Sequence, residues 1–113
     1  MSCDNIFVMK KRKISPEFLN AMAEAVKILG NGQRLQIIEH LDIHGESKVS
    51  DIVTALSAQQ GAISQHLNKM RIAGLVSCRR ESREVYYQIA NEAPVTLLDC
   101  IRRKYEQNLR SKP

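Results

Sequence analysis

The chain has 113 residues, of which 43% are hydrophobic and 26% are charged, and it carries a formal net charge of +5. This composition is typical of a single globular domain and excludes an intrinsically disordered chain. No apolar run approaches the ~20 residues of a membrane-spanning helix, and three cysteines without CxxC spacing indicate a reducing compartment, so we expect a cytoplasmic protein with no membrane partner.

Positive charge is concentrated in particular parts of the chain. Basic residues outnumber acidic ones in residues 1–13, 59–89 and 90–113, whereas residues 14–58 are net acidic. Such basic segments predict a polyanionic partner such as a nucleic acid. Charge alone leaves general solubility as the alternative interpretation.

The first half of the chain predicts three helices. Ser15-Pro16-Glu17 has the pattern of an N-cap followed by a first helical turn, and apolar residues then recur at helical spacing up to Gly30. Asn31 begins a second helix that ends at His44-Gly45, and Ser50 is expected to cap a short third helix.

The second half predicts a helix, a hairpin and a final helix. After a short turn, Ile63, Leu67 and Met70 follow the i, i+4, i+7 spacing of a fourth helix. Asn91 is expected to cap the last helix. The strand-like runs between the two helices are Leu75–Arg80 and Glu84–Ile89. This order describes a mainly α fold, a winged helix-turn-helix of five helices with a two-stranded β-hairpin wing between the fourth and fifth.

The polar side of the fourth helix is the candidate nucleic-acid interface. Gln and Asn side chains there can pair with adenine, and Ser can bond to either base type. A glycine lets the helix start approach the backbone of the nucleic acid, and a lysine attracts phosphate. A solvated surface is the alternative. The predicted residues are Gln60, Gly61, Ser64, Gln65, Asn68 and Lys69.

The hairpin carries a basic cluster of Arg79, Arg80 and Arg83, which predicts contacts with the phosphate backbone or a minor groove. Cys78 shares strand parity with Val76, so it is expected to face the core as a small hydrophobic residue.

Catalysis is not expected of this chain. Ser64 and His66 are two residues apart on a helix and point in different directions, so they cannot form a nucleophile–base pair. His66 lies on the flank of the helix, where it is either packed or faces phosphate. The sequence therefore predicts a protein that is not an enzyme.

Two segments resemble a known family. The run SQHLNKMRIAGLVSCRRESREVYYQI, residues 64–89, resembles the helix-turn-helix and wing of ArsR/SmtB-type repressors, and NGQRLQIIEHL, residues 31–41, resembles their Arg-Leu-containing second helix. The likeness covers roughly residues 18–106. It implies a homodimeric DNA-binding repressor whose first and last helices form the dimer interface, in agreement with the apolar stripes on those helices. The interface residues are then Phe18, Met22, Val26, Leu98, Ile101 and Tyr105.

The chain departs from the resemblance at the positions where many such repressors bind metal. Lys48-Val49-Ser50-Asp51 stands where many carry a cysteine pair, and Ser82 replaces the usual wing glycine. The last-helix positions that hold metal ligands in others are here Asn91, Ala93, Lys104 and Gln107. We therefore expect no metal site and no cofactor, and His40 and His44, four residues apart, are interpreted as a solvated pair.

Cys100 is the candidate for a signal of another kind. Arg102, Arg103 and Lys104 follow it, and basic neighbours favour a reactive thiolate. One interpretation is redox sensing with Cys3 as the resolving partner. The other is an inert cysteine at the edge of the surface.

We predict a flexible basic arm at residues 1–14, a winged helix-turn-helix domain for DNA binding and dimerisation at residues 15–109, and a tail at residues 110–113. The predicted function is a homodimeric repressor that reads a pseudo-palindromic operator in double-stranded DNA and is released by a non-metal signal. The alternative is a winged-helix protein–protein adaptor without DNA binding, which would more often show an apolar groove.

Overall fold

The computed structural model describes residues 11–111, which form five helices and three short strands. In chain order the elements are α1 (Pro16–Leu29), α2 (Gly32–His44), β1 (Ser47–Lys48), α3 (Val49–Leu56), α4 (Gln60–Ile72), β2 (Val76–Glu81), β3 (Glu84–Ile89) and α5 (Glu92–Ser111). The predicted order of four helices, a hairpin and a last helix is confirmed. Most of the predicted arm, with Cys3, and the end of the predicted tail lie outside the described residues. Within residues 11–111, no helix combines the length and the apolarity that a membrane crossing requires.

Three of the predicted helix starts are confirmed by side-chain caps. The Ser15 hydroxyl accepts a hydrogen bond from a first-turn amide of α1, and the Asn31 amide oxygen accepts two from the first turn of α2. Asn91 does the same at the start of α5, where the Ala93 amide donates to its Oδ1 at 2.8 Å. These caps satisfy amides that have no partner within the helix, so they fix where each helix begins.

The third helix begins earlier than the sequence pattern indicates. Ser50 is not its cap, because α3 already starts at Val49 and Lys48 occupies the N-cap position without a side-chain hydrogen bond. The reason is tertiary. Ser47 and Lys48 pair with β3, so the chain enters α3 directly from a strand.

The wing therefore belongs to a three-stranded antiparallel sheet in the order β1-β3-β2, rather than a free two-stranded hairpin. The register pairs Arg79 with Tyr86 and Glu81 with Glu84, leaving a two-residue turn at Ser82-Arg83. Ser82 has a φ of 59°, the left-handed region in which glycine is usual at such turns.

The core lies where the helix-turn-helix meets the other elements. Eleven hydrophobic side chains from α1 to α5 and the start of the wing form one buried cluster. Its members are Leu29, Ile37, Ile38, Leu41, Ile52, Ile63, Leu67, Met70, Leu75, Val76 and Leu98. Leu98, one of the residues predicted for the dimer interface, is only 5% exposed and is already covered by the chain's own core.

An ion-pair cluster connects the middle of α5 to α2. Arg102 Nη1 lies 2.7 Å from Asp42 Oδ2 and 3.0 Å from Asp99 Oδ1. Arg102 thereby joins two carboxylates on different helices, which restricts the orientation of α5 relative to α2.

Candidate nucleic-acid interface

The fourth helix has one side in the core and the opposite side in solvent. Ile63, Leu67 and Met70 are each 0% exposed and hold α4 against α2 and α3. The residues of α4 that are predicted to contact bases or phosphates lie on the exposed side of the helix. They are Gln60, Gly61, Ser64, Gln65, Asn68 and Lys69. The core contacts thus orient a polar surface outward on a rigid helix, as a groove-reading helix requires.

The two helices of the helix-turn-helix begin without side-chain caps. Neither Lys48 before α3 nor Gln59 before α4 makes a side-chain hydrogen bond to the helix start, whereas α1, α2 and α5 are capped. Their first-turn amides therefore retain donors for an external acceptor. Helix N-termini with free amides favour phosphate oxygens, which is how many helix-turn-helix proteins hold the DNA backbone.

Gly61 lies at this open end of α4. A methyl group added at its Cα would meet no atom within 4 Å, so packing inside the chain does not require a glycine here. The space beside Gly61 is free for a bound backbone.

Arg71 is a residue of this surface that sequence reasoning missed. Its Nη2 donates to Asn68 Oδ1 at 2.6 Å, and its guanidinium also reaches the Tyr87 side chain in the wing. Burial is the main cause that raises the pKa of Tyr87, and contact with Arg71 opposes the shift. The signal was present in the spacing, because Arg71 is three residues after Asn68 and seven after Ser64 on the same side of the helix.

His66 is packed rather than facing outward. Its Nδ1 accepts a hydrogen bond from Arg34 Nε at 3.0 Å, and its Nε2 lies 3.0 Å from Gln33 Oε1. Arg34 also donates to the Ile28 carbonyl at 2.9 Å. Because a guanidinium can only donate, the ring is neutral with its proton on Nε2. Burial, followed by the charge of Arg34, lowers the pKa of His66. This network ties α4 to α2 and to the end of α1.

The three wing arginines have different surroundings. Arg80 and Arg83 are exposed, and the described part of the chain offers neither of them an ion pair. Arg79 instead pairs with Glu46 and Glu81. Cys78 lies on the core-side face of β2, opposite Tyr87, as its strand parity predicts. It is nevertheless exposed, so it is not packed into the core as a small hydrophobic residue.

The proposed dimer surface is formed by α1 and α5. Phe18, Val26 and Tyr105 are 58%, 50% and 60% exposed, and Ile101 is 39% exposed. Met22 lies half-buried among them. Large apolar side chains left in solvent on two adjacent helices are typical of a surface that another protein covers.

Cys100 lies on α5 and is exposed, with Arg103 Nη2 3.3 Å from its Sγ. The imidazole rings of His40 and His44 are 4.6 Å apart at their centroids. Among residues 11–111, no three His, Cys, Asp or Glu side chains come together in a group that could hold a metal ion.

Comparison with known proteins identifies the family. The model of the family described as "Bacterial regulatory protein, arsR family" matches residues 31–77. The transcriptional repressor PagR of Bacillus anthracis is 34% identical over 97 residues, which cover 83% of this chain and 97% of PagR. The nodulation protein NolR of Rhizobium meliloti is 34% identical over 89 residues, 79% of this chain, and the match spans 66% of the length of NolR.

A solved structure extends the likeness through the wing and α5. The homodimeric winged helix-turn-helix DNA-binding domain of a possible ArsR-family transcriptional regulator from Mycobacterium bovis superposes with a TM-score of 0.69 at 31% identity. The superposition covers 90% of this chain and 94% of that domain. Sequence likeness across the helix-turn-helix and structural likeness across the whole fold agree. The chain belongs to the arsR family of bacterial regulatory proteins, whose members are transcriptional regulators with a winged helix-turn-helix fold.

Proposed function

We propose that this protein is a homodimeric transcriptional repressor that reads a pseudo-palindromic operator with α4 and the wing. The observation that carries the proposal is the exposed polar side of α4, held outward by three fully buried side chains on the opposite side. Likeness to PagR, a repressor, and to a homodimeric DNA-binding domain supports it. Because the partner is operator DNA, the protein is expected to act in the cytoplasm.

The residues divide by chemistry. Ser64, Gln65 and Asn68 carry the donors and acceptors that distinguish base edges, and Arg71 orients the Asn68 amide through its hydrogen bond. Phosphate contacts come from the open start of α4, namely Gln60 and Gly61, and from Lys69, Arg80 and Arg83. Residues 15–109 form the domain for DNA binding and dimerisation, between the basic arm and the short tail.

The releasing signal is proposed to be other than a metal, because Lys48, Ser50, Ala93 and Lys104 occupy positions that would have to supply ligands. Cys100 is the candidate for thiol oxidation, supported by its exposure and its contact with Arg103. An inert surface cysteine is the competing interpretation. Operator affinity of the parent and Cys100→Ser, reduced and after peroxide, separates the two: release of the oxidised parent alone supports sensing, and four equal affinities exclude it.

The test of DNA binding starts from genomic fragments that the purified protein retains, followed by sequencing and affinity measurement on the recovered duplex. Affinity should fall about tenfold or more between ~50 and ~200 mM salt, because bound arginines and lysines release counterions from the phosphates. Absence of binding to any duplex would instead favour the protein–protein adaptor.

A further inference from the structure

The Arg79 side chain crosses the whole sheet. Arg79 is on β2, and its guanidinium carbon lies 4.6 Å from the ring centroid of Tyr86, its partner on β3. Beyond the ring, Nε and Nη2 donate to the two carboxylate oxygens of Glu46 at 2.8 and 3.0 Å. Glu46 directly precedes β1, which leads into α3. One side chain thus connects the wing to the entrance of the helix-turn-helix.

The donors of Arg79 are largely occupied. The two bonds to Glu46 form the bidentate arrangement that a guanidinium would otherwise offer to a phosphate, and Nη1 donates to Glu81 Oε1. One positive group is therefore matched by two carboxylates. Hydrogen bonding to Arg79 also lowers the pKa of Glu46, so this carboxylate keeps its charge to a lower pH than a free glutamate.

The direction of the side chain separates it from Arg80. Val76, Tyr87 and Ile89 share one face of the sheet, the one that packs on the core, and alternation places Arg79 and Tyr86 on the other face. Arg80, one residue later, projects from the core-side face and has no ion pair within residues 11–111.

From this geometry we propose that Arg79 and Glu46 are positioning residues that set the angle of the wing relative to α3 and α4, rather than contacts to phosphate. The proposal rests on the proposed function in DNA binding. Wing charge for the phosphates then comes from Arg80 and Arg83. An exposed ion pair alone contributes little, but a bidentate pair stacked on a ring has one defined geometry, which is what positioning requires.

Glu46→Gln distinguishes two roles of Glu46, competition with phosphate for Arg79 and positioning of the wing, because they predict opposite changes in DNA affinity. The variant adds positive charge and frees Arg79, so a competition between Glu46 and phosphate would make DNA binding tighter and steepen its salt dependence. If the pair positions the wing, affinity for the recovered operator falls about threefold to tenfold, as expected for one lost charge pair per protomer. The salt slope stays unchanged, because no phosphate contact is lost.

Arg79→Gln and Arg80→Gln are the matched pair of variants. Arg79→Gln should lower operator affinity without changing the slope of log affinity against log salt concentration. Arg80→Gln should lower the affinity and also reduce that slope by about one unit per phosphate contact. Arg79→Lys keeps the charge but loses the planar guanidinium that binds a carboxylate through two hydrogen bonds, so its operator affinity should resemble that of Arg79→Gln. The double variant Glu46→Gln/Arg79→Gln should bind no more weakly than Arg79→Gln, because both changes break the same contact.

Amide hydrogen exchange in the wing, measured without DNA, keeps the proposal separate from the proposed function. Exchange at residues 80–85 should accelerate in Glu46→Gln and Arg79→Gln and match the parent in Arg80→Gln. If the parent binds no duplex, the proposed function fails and the exchange result alone decides the positioning role. The positioning role would be overturned if amide exchange were unchanged in both variants, or if Glu46→Gln bound the operator more tightly than the parent. It would also be overturned if Arg79→Gln reduced the salt dependence of binding as much as Arg80→Gln does.

Discussion

Gln65 and Lys69 lie one turn apart on the exposed side of α4, but their side chains are expected to make different kinds of contact with DNA. A glutamine amide can donate to and accept from one base edge, so its contribution depends on the base. A lysine ammonium is a point charge with three donors and attracts any phosphate. Substitution at the two sites therefore separates specificity from general affinity.

Gln65→Ala should cost about 1–3 kcal/mol on the recovered operator and little on a randomised duplex. Lys69→Ala should weaken binding to both duplexes equally and reduce the salt slope by about one per contact. Fluorescence anisotropy titrations on the two duplexes measure both quantities. An equal loss on both duplexes for Gln65→Ala would show that this side chain positions the protein without reading a base.

His66 gives the stability of the fold a pH dependence of known sign. Burial and Arg34 lower its pKa from the ordinary value of 6.5, so the unfolded chain binds a proton more readily than the folded one. Stability is therefore lost as pH falls below 6.5 towards the lowered pKa. The pKa of His40 is also lowered, by burial first and then by His44, and acts in the same direction.

His66→Asn keeps an acceptor near Arg34 but cannot titrate, so its urea midpoint should fall less than that of the parent between about pH 7.5 and 5.5. The urea midpoint of the double variant His40→Asn/His66→Asn should fall least over the same pH range. Glu46 does not disturb this comparison, because its lowered pKa contributes stability that is lost only below its ordinary value of 4.5. Parallel curves for parent and His66→Asn would contradict the assigned role of His66.

Gly61 and Gly32 have the same local surroundings and can be compared directly. Each lies in the first turn of its helix, and nothing lies within 4 Å of a Cβ added there. Alanine at either position should raise the free energy of unfolding by about 0.5 kcal/mol, because glycine loses more backbone entropy on folding. Only Gly61→Ala should weaken operator binding, by about tenfold, since its methyl group would stand between α4 and the DNA backbone. Denaturant unfolding and anisotropy titrations of both variants test this. Equal operator affinity for both variants would place the start of α4 away from DNA.

Elements set by local sequence were predictable, and those set by partners far along the chain were not. The polar side of α4 follows from the spacing of Ile63, Leu67 and Met70 alone, and the caps Ser15 and Asn31 act within their own first turns. Strand β1 has two residues and exists only because β3 pairs with it. The pairing of Arg79 with Glu46 joins residues 33 positions apart, so a basic hairpin gave no sign of which arginine is engaged.

If the exposed apolar surface of α1 and α5 is the dimer interface, as proposed, it determines how two copies of the molecule orient their α4 helices. Phe18, Val26, Ile101 and Tyr105 are exposed on one chain, while the basic wing and α4 remain free for DNA. Packing these surfaces across a two-fold axis would bury them and set two copies of α4 about one DNA turn, ~34 Å, apart. Operator symmetry then follows from protein symmetry.

Ile101→Glu tests this arrangement, because a dimer would bury two unpaired carboxylates in its apolar interface and should weaken self-association by about 100-fold or more. Ile43→Glu is the matched control. Ile43 is 61% exposed but lies on α2 beside Ala55 and Leu56 of α3, away from the α1–α5 surface. Sedimentation velocity at micromolar concentration should show a dimer for the parent and for Ile43→Glu and a monomer for Ile101→Glu. The Ile101→Glu monomer should also lose most operator affinity, since each half-site is then bound alone. A monomeric parent, or a dimeric Ile101→Glu, would place the interface elsewhere.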